Sequence, residues 1–290
     1  LSSAMFPADH PYHWPTIGFA DDVRAAKISD VREFFQTYYH PQNASLALAG
    51  DIDPDEAFAL VEEYFGSLPP GVRPAPVTPA APAARTAETR LVLEDRVELP
   101  RLYLAWHSPE LFGVDDAELD LVADVLAGGK TSRLYRALVY EQRVATEVAA
   151  SQNSRELSGF FQVVATAAPG HTLPELEAAI TAEMERLCAD GPTDGEIERG
   201  VAQAEAHFIS RLQTVGGFGG KSDQLNAYNV FLDDPGFFDR DLGRYRRADA
   251  ASLTRAARFW LDRQTRVTLS VVPRGRPEAA LEGSAPVDVS

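Results

Sequence analysis

A proline- and alanine-rich segment divides the chain into a shorter first part and a longer second part. Six of the twenty prolines lie between Pro69 and Arg85, where alanine is the commonest other residue. Proline removes a backbone donor and fixes φ, so closely spaced prolines favour an extended chain over a packed helix or strand. We predict a first domain over residues 1–68, a linker over 69–87, a second domain over 88–273 and a flexible tail over 274–290.

The charge balance excludes several classes of function. The chain has 27 basic and 43 acidic residues, which give a net charge of −16 and a pI near 4.8. A nucleic-acid groove or an anionic membrane surface needs clustered lysine and arginine, so we expect neither partner. Apolar stretches such as Phe160–Ala168 are far shorter than the roughly 18 residues of a membrane span, so we expect no span.

The first part of the chain predicts two helices around one buried strand. Asp30 and Glu33 have the spacing of a capping box, so we expect Asp30 to cap the first helix. The apolar run Ala44–Ala49 predicts a short buried strand. Asp53 and Pro54 favour a second helix start, because aspartate caps helices and proline suits their first turn.

Beyond the linker, the hydrophobic period alternates between strand and helix, which indicates an α+β fold. Two capping-box patterns, Thr172 with Glu175 and Thr193 with Glu196, mark helix starts. We predict strands over residues 90–99, 101–107, 144–152, 159–167 and 266–272, and helices over 116–127, 132–141, from 172 onward, 195–213, 220–231, 236–245 and 250–261.

A weak internal similarity relates Val31–Leu48 to Leu253–Ser270. Both stretches run from a helix with an aromatic end, through a glutamine, into a strand. The similarity indicates either a duplicated domain whose first copy is truncated at its N-terminal side, or chance. Because the chain begins with Leu1 and its first helical pattern starts late, we expect it to be a piece of a longer protein.

Two glycine-rich stretches resemble phosphate-binding loops but lack the required spacing. Gly128–Ser132 ends like a P-loop, but Asp124 occupies the position where the motif requires its first glycine. The stretch also follows a helical pattern, whereas a P-loop follows a strand. Gly216–Ser222 fails in the same way, because Val215 stands where glycine is needed. We therefore interpret both stretches as helix junctions and expect no bound nucleotide.

The histidines and the one cysteine form no recognisable catalytic motif. Neither H-E-x-x-H nor H-x-x-E-H occurs, and Cys188 has no histidine near it in sequence. His10 and His13 are three residues apart, which leaves open a metal-binding turn or a loop packed by Tyr12 and Trp14. We predict no catalytic, substrate-binding or metal-binding residue in this chain.

Several stretches, in this order and spacing, resemble the pitrilysin/insulinase family of zinc metallopeptidases, the inverted H-x-x-E-H group. The stretches that carry the resemblance are His10–Gly18, Phe34–Asn43, Leu46–Asp51, Glu62–Gly66, Leu126–Tyr135, Gly216–Lys221 and Leu225–Asn229. The resemblance implies a mixed or antiparallel sheet covered by helices, in repeated domains of which the first copy here is truncated.

The resemblance also implies where the zinc site lies in the longer protein. Family members carry H-x-x-E-H upstream of the segment that matches residues 10–18, so residues 1–68 would be the C-terminal half of the zinc-side domain, and residues 88–273 a complete non-catalytic domain. Truncated faces of the first part should then expose an apolar patch. Some members hold substrate with Arg and Tyr where this chain has Val139 and Thr146, which puts substrate clamping by this chain in doubt.

We therefore hypothesise a noncatalytic portion of a zinc-dependent metalloendopeptidase that degrades unfolded peptides. Its implied partners are the zinc-bearing upstream segment and a second pitrilysin-like half, with which it would form a chamber wall. Zinc is expected in the parent and not in this chain, which alone should be inactive. The alternative is a degenerate member that acts as a scaffold without proteolysis. The residues leave the compartment open, although resemblance to exported bacterial relatives favours the periplasm.

Overall fold

A computed structural model describes residues 1–78 and 86–287. Its helices are α1 Ser2–Met5, α2 Ala20–Ala25, α3 Ile28–Tyr38, α4 Pro54–Phe65, α5 Asp116–Ala127, α6 Leu173–Asp190, α7 Asp194–Gln213, α8 Lys221–Leu232, α9 Phe238–Arg246 and α10 Ala250–Trp260. Its strands are β1 Thr89–Asp95, β2 Arg101–Ser108, β3 Ala145–Asn153, β4 Gly159–Ala167, β5 Val267–Pro273 and β6 Ala285–Pro286. Part of the predicted linker, residues 79–85, lies outside the described residues.

The chain divides into two compact units. The sheet unit contains the described residues of Leu1–Trp14, Ala80–Ala204 and Gly243–Ser290, and the helical unit those of Pro15–Pro79 and Glu205–Leu242. Each unit is therefore assembled from segments that are distant in sequence. The domain boundaries inferred from the sequence stay a prediction.

The sheet unit is built on six strands in the order β3-β4-β2-β5-β1-β6. β2 pairs antiparallel with β4 and β5, and β3 pairs antiparallel with β4. β1 runs parallel to both β5 and β6. The predicted α+β class and mixed sheet are confirmed, and the strand predicted over residues 159–167 has those bounds as β4.

Different parts of the chain cover the two faces of the central strand β2. Leu104 and Trp106 are at most 1% exposed and lie in the main core with side chains of α5, α6 and α10. Ala105 points to the opposite face, because side chains alternate along a strand. It packs there against Met5 and Phe6. The first fourteen residues thus cover part of one face of the sheet.

A buried ion network joins the starts of β1 and β5 to α6. Arg266, 1% exposed, donates from Nε to Glu88 at 2.7 Å and from Nη2 to Glu177. Arg90 donates to the same two carboxylates, and the Thr268 hydroxyl donates to Glu88 at 2.6 Å. Burial raises the pKa of Glu88, but hydrogen bonds from Thr268 and Arg266 outweigh burial and hold that pKa below its usual value.

Glu196 completes the start of α7. The Thr193 N–H donates to its carboxylate at 2.8 Å and the Glu196 N–H donates to the Thr193 hydroxyl at 3.3 Å, so the predicted capping box is confirmed. Arg133 donates to both carboxylate oxygens at 2.7 Å. Burial raises the pKa of Glu196, but the Arg133 and Thr193 hydrogen bonds outweigh it and lower that pKa to about 2.

We expect acid to weaken the fold through Glu196. A carboxyl group whose pKa is lower in the folded state stabilises the fold above its unfolded pKa of about 4.3, and this contribution is lost as the pH falls through the folded pKa. Urea unfolding at pH 7, 5 and 3 should therefore show a smaller loss of stability below pH 5 in Glu196→Gln than in the wild type. Glu278→Gln, which removes an exposed carboxylate, is the control and should behave like the wild type. Equal losses in all three proteins would contradict the assignment.

One predicted helix start is wrong, and one predicted helix has an unexpected hydrogen-bond spacing. α3 begins at Ile28, and Asp30 lies inside it, where its carboxylate accepts the Lys27 N–H at 2.9 Å. Asp30 therefore has the third-residue role of a capping box and is not the cap. The helix predicted over residues 132–141 is largely a π-helical turn, Tyr135–Glu141, with a wider hydrogen-bond spacing than an α-helix.

Part of the segment predicted to be a flexible tail is packed on the sheet unit. Leu281 is 3% exposed, and its N–H donates to the Ser270 hydroxyl at 3.2 Å. The short strand β6 then pairs with β1. Residues 288–290 lie outside the described residues.

Candidate interaction surface

Helix α3 presents apolar side chains that are about half exposed in the described part of the helical unit. Val31, Phe34, Phe35 and Tyr38 lie at helical spacing and are each 45–51% exposed. We call these four residues the α3 stripe. Phe34 and Tyr38 contact each other with ring centroids 5.0 Å apart. A stripe of this composition is typical of a helix that packs against another element.

Helix α4 forms one side of an apolar groove. The groove has a volume of about 320 Å³ and is lined by Leu46, Leu48, Ile52, Pro54, Ala57, Phe58 and Val61. Phe58 is 74% exposed. Exposed apolar side chains grouped in this way mark an interaction site in a soluble protein, whereas single ones do not.

The segment Ala44–Ala49 was predicted to be a buried strand, and that prediction is wrong. Leu46 and Leu48 are more than half exposed, and the segment pairs with no strand among residues 1–78 and 86–287. Its backbone is nevertheless held in place, because the Ser45 hydroxyl donates to Asn226 and accepts from Asn229. An apolar run predicts a buried strand only where a partner strand lies beside it, and the described residues place none beside this segment.

The two glycine-rich stretches are turns. The Ser132 hydroxyl, which a P-loop would offer to a magnesium ion, is buried and donates to the Gly129 carbonyl at 2.7 Å. In the second stretch, the Gly219 N–H donates to Asp223 at 2.7 Å, and the Gly219 carbonyl accepts from Arg211. A carboxylate therefore stands where a phosphate would have to bind.

His10 and His13 have separate roles in packing the N-terminal segment. His10 is 1% exposed, stacks on Phe6 with ring centroids 4.6 Å apart, and accepts the Tyr12 N–H at Nδ1. The Nδ1 atom of His13 lies 2.8 Å from the Phe6 carbonyl oxygen. Of the two interpretations left open by the sequence, this geometry supports the packed loop.

Three other residues singled out in the sequence are not arranged as substrate-binding or catalytic groups. Val139 packs against the core of the sheet unit. Thr146, on the edge strand β3, donates to the Thr166 carbonyl at 3.4 Å. Burial raises the pKa of the Cys188 thiol, with an opposing effect from a nearby arginine, which disfavours a reactive thiolate.

The part of the chain that the structure describes contains no group of three or more His, Cys, Asp and Glu side chains arranged to hold a metal ion. The residues present therefore do not fit a zinc site. Within the same described ranges, no helix is long and apolar enough to cross a membrane.

Residues 26–204 match the family model described as the peptidase M16 inactive domain. The chain belongs to the peptidase M16 family. The resemblance to the pitrilysin/insulinase metallopeptidases predicted from the sequence is thereby confirmed, and the matched model is the inactive domain of that family.

Curated M16 relatives carry the name zinc protease. Zinc protease PqqE from Helicobacter pylori is 30% identical over 207 residues, which are 71% of this chain and 47% of that protein. The uncharacterized zinc protease YmxG from Bacillus subtilis is 23% identical over 237 residues, 81% of this chain and 56% of its own length. The chain thus spans about half the length of the curated relatives it matches.

Solved structures of M16 proteins have the same fold. A protease from Helicobacter pylori superposes with a TM-score of 0.81 at 26% identity, covering 91% of this chain and 63% of that one. A peptidase M16 inactive domain from Pseudomonas fluorescens gives 0.80 at 18% identity, covering 99% of this chain and 65% of that one. The second likeness concerns the fold alone.

Proposed function

We propose that this chain is a noncatalytic portion of a zinc-dependent metalloendopeptidase that degrades unfolded peptides. It forms part of the chamber wall and of the surface that meets a second pitrilysin-like half. The observation that carries the proposal is the match of residues 26–204 to the M16 inactive domain, in a chain that spans about half of relatives named zinc proteases.

The apolar surfaces of the helical unit support the proposal that another part of the same enzyme packs against this chain. The α3 stripe and the groove beside α4 leave aromatic and aliphatic side chains in water, at a cost of about 25 cal/mol for each Å² that a partner could bury. Ala44–Ala49 also offers unpaired backbone to a strand. We propose that the zinc-bearing upstream segment covers these surfaces and supplies that strand.

The chemistry of peptide hydrolysis belongs to that upstream segment in this proposal. The residues described here do not fit a zinc site, so no catalytic step is assigned to them. What this chain contributes is a rigid sheet unit and apolar surface for assembly. Val139 and Thr146, at the positions where some members hold substrate, offer no charged donor.

Zinc content and cleavage of a quenched peptide test the proposal together. We expect the 290-residue chain to hold no stoichiometric zinc and to cleave nothing. A longer chain that includes the upstream segment with H-x-x-E-H should bind about one zinc ion and show chelator-sensitive cleavage. One tightly held zinc with cleavage in the 290-residue chain would overturn the proposal. An upstream reading frame without H-x-x-E-H would favour the scaffold alternative.

Substitution in the α3 stripe tests the proposed covering of that surface. In the longer chain, Phe35→Asp should expose the upstream segment to protease and reduce cleavage of the peptide, because a carboxylate cannot be buried there without a partner. Val72→Asp is the matched control, since Val72 is also exposed in the helical unit but lies outside α3 and the groove. Equal effects of both substitutions would contradict the assignment.

A further inference from the structure

Residues 1–14 lie across one face of the sheet, and we call them the strap. Met5 and Phe6 are at most 5% exposed and pack against Ala105 of β2 and Val267 of β5. At the other end of the strap, the Tyr12 hydroxyl accepts the Leu157 N–H at 3.1 Å. A small apolar cluster and the Tyr12 hydrogen bond thus hold the strap on the sheet.

His10 lies at the centre of these contacts in an uncharged form. Its Nδ1 atom accepts the Tyr12 N–H at 3.0 Å, so the neutral ring carries its proton on Nε2. Nε2 is buried and has no hydrogen-bond partner. The ring stacks on Phe6 and meets the Tyr12 ring edge-on at 5.1 Å.

A second proton on this ring would disrupt the packing in two ways. It would occupy Nδ1, so that the Tyr12 N–H loses its acceptor, and it would place a positive charge in an apolar site. The titratable groups on the strap are the Leu1 amine, whose pKa is lowered by burial, and Asp9, Tyr12 and His13. Beside the strap lie His107 on β2, whose side chain contacts Phe6, and Arg155, whose guanidinium lies 5.2 Å from the Tyr12 ring centroid. Asp9 is the group that favours the charged ring.

We propose that the strap is pH-sensitive and detaches from the sheet when His10 takes up a proton. Burial lowers the pKa of His10 and the nearby Asp9 carboxylate opposes that effect, so the detached strap binds the proton more tightly than the packed strap. Packing is therefore complete above the pKa of a free histidine, about 6.5, and weakens as the pH falls below it.

Amide hydrogen exchange of the 290-residue chain tests whether the strap detaches as the pH falls. The exchange rates are corrected for the intrinsic effect of pH on amide exchange. The detached population should rise about tenfold per pH unit below 6.5, until the pKa of the packed ring is reached. Protection of the strap, including the Tyr12 N–H, should fall accordingly between pH 7.5 and 5.5, while the β2–β4 ladder stays protected. Protection of the strap that does not change over this range would overturn the proposal.

Two variants separate titration of His10 from loss of its contacts. His10→Asn keeps a side-chain acceptor for the Tyr12 N–H but does not titrate, so the fall in strap protection below pH 6.5 should be largely lost, and only the contribution of the buried Leu1 amine should stay. A dependence equal to that of the wild type would overturn the proposal. If the strap of this variant is already detached at pH 7.5, the Asp9→Asn variant tests the role of His10 instead. Removing the Asp9 carboxylate should move the pH at which half of the straps are detached to a value a few tenths of a unit below that of the wild type. An unchanged midpoint would then refute the role of His10.

Discussion

Replacing Arg266 with methionine should lower the free energy of unfolding of the chain by about 3–5 kcal/mol, the usual cost of removing one partner of a buried ion pair. Glu88 and Glu177 would remain in a site where Arg266 is now 1% exposed. Arg90 would still pair with both carboxylates. Arg263 would stay 3.5 Å from Glu177 and Thr268 would still donate to Glu88, but neither fills the buried position of Arg266. Urea unfolding at pH 7.5 measures the loss.

The pH dependence of this loss distinguishes a charge effect from simple loss of packing. Without Arg266, the pKa of Glu88 should rise, because Thr268 and Arg90 alone offset its burial less completely. The folded variant then takes up protons as the pH falls, so its deficit against the wild type should be smaller at pH 5 than at pH 7.5. Arg276→Met removes an ion pair whose side chains are about two-thirds exposed, and this control should cost at most about 1 kcal/mol. If Arg266→Met lowered the free energy of unfolding no more than Arg276→Met, the proposed contribution of the buried ion network to stability would be wrong.

Trp106→Ala should cost about 3–5 kcal/mol, through lost burial and the cavity left in the core. Trp106 lies on the central strand β2, is 1% exposed and packs near Phe161. Its indole N–H also donates to the Asp262 carbonyl at 2.9 Å. The alanine variant would lose this hydrogen bond, but the Asp262 carbonyl still accepts from the Thr265 N–H and hydroxyl, so the cavity supplies most of the loss.

Two further variants separate these contributions. Trp106→Phe keeps most of the ring and removes the donor, so its cost should lie between those of the wild type and Trp106→Ala. Phe259→Ala removes a 70% exposed aromatic from α10 and should change stability by no more than about 0.5 kcal/mol. If Trp106→Ala cost no more than Phe259→Ala, the assignment of Trp106 to the core would be wrong.

The sequence predicts the elements of the sheet unit well because local signals and tertiary packing agree there. The strand over residues 159–167 and the capping boxes at Thr172 and Thr193 appear where the pattern placed them. The prediction placed Asp30 at the cap because the first and last residues of a capping box both carry side chains that accept backbone N–H groups, and aspartate can do so at either position. The pairing of β1 with β5 could not be predicted, since no local pattern determines which distant strands become neighbours.

The helical unit and the strap show what a pattern alone leaves undetermined. Leu46 and Leu48 have the pattern of a buried strand, but burial needs a partner and the described residues provide none. The strap has no helix or strand period, so the sequence offered a packed loop around His10 and His13 only as one of two interpretations and did not predict that the strap covers the sheet. The only signal was the pair Met5 and Phe6 in a stretch otherwise rich in prolines and histidines. The absence of a catalytic site among the residues of this chain stays a prediction.

The strand order also has a consequence for synthesis. Glu88 and Arg266, which join β1 to β5, are 178 residues apart. At about 5–20 residues per second, a ribosome needs roughly 10 to 40 s to add the second partner after the first. During this interval β1 has neither of its neighbours, so its apolar side chains and backbone groups are open to chance association. We therefore expect the yield of folded protein to depend on chaperone capacity more than that of a protein with local strand pairing.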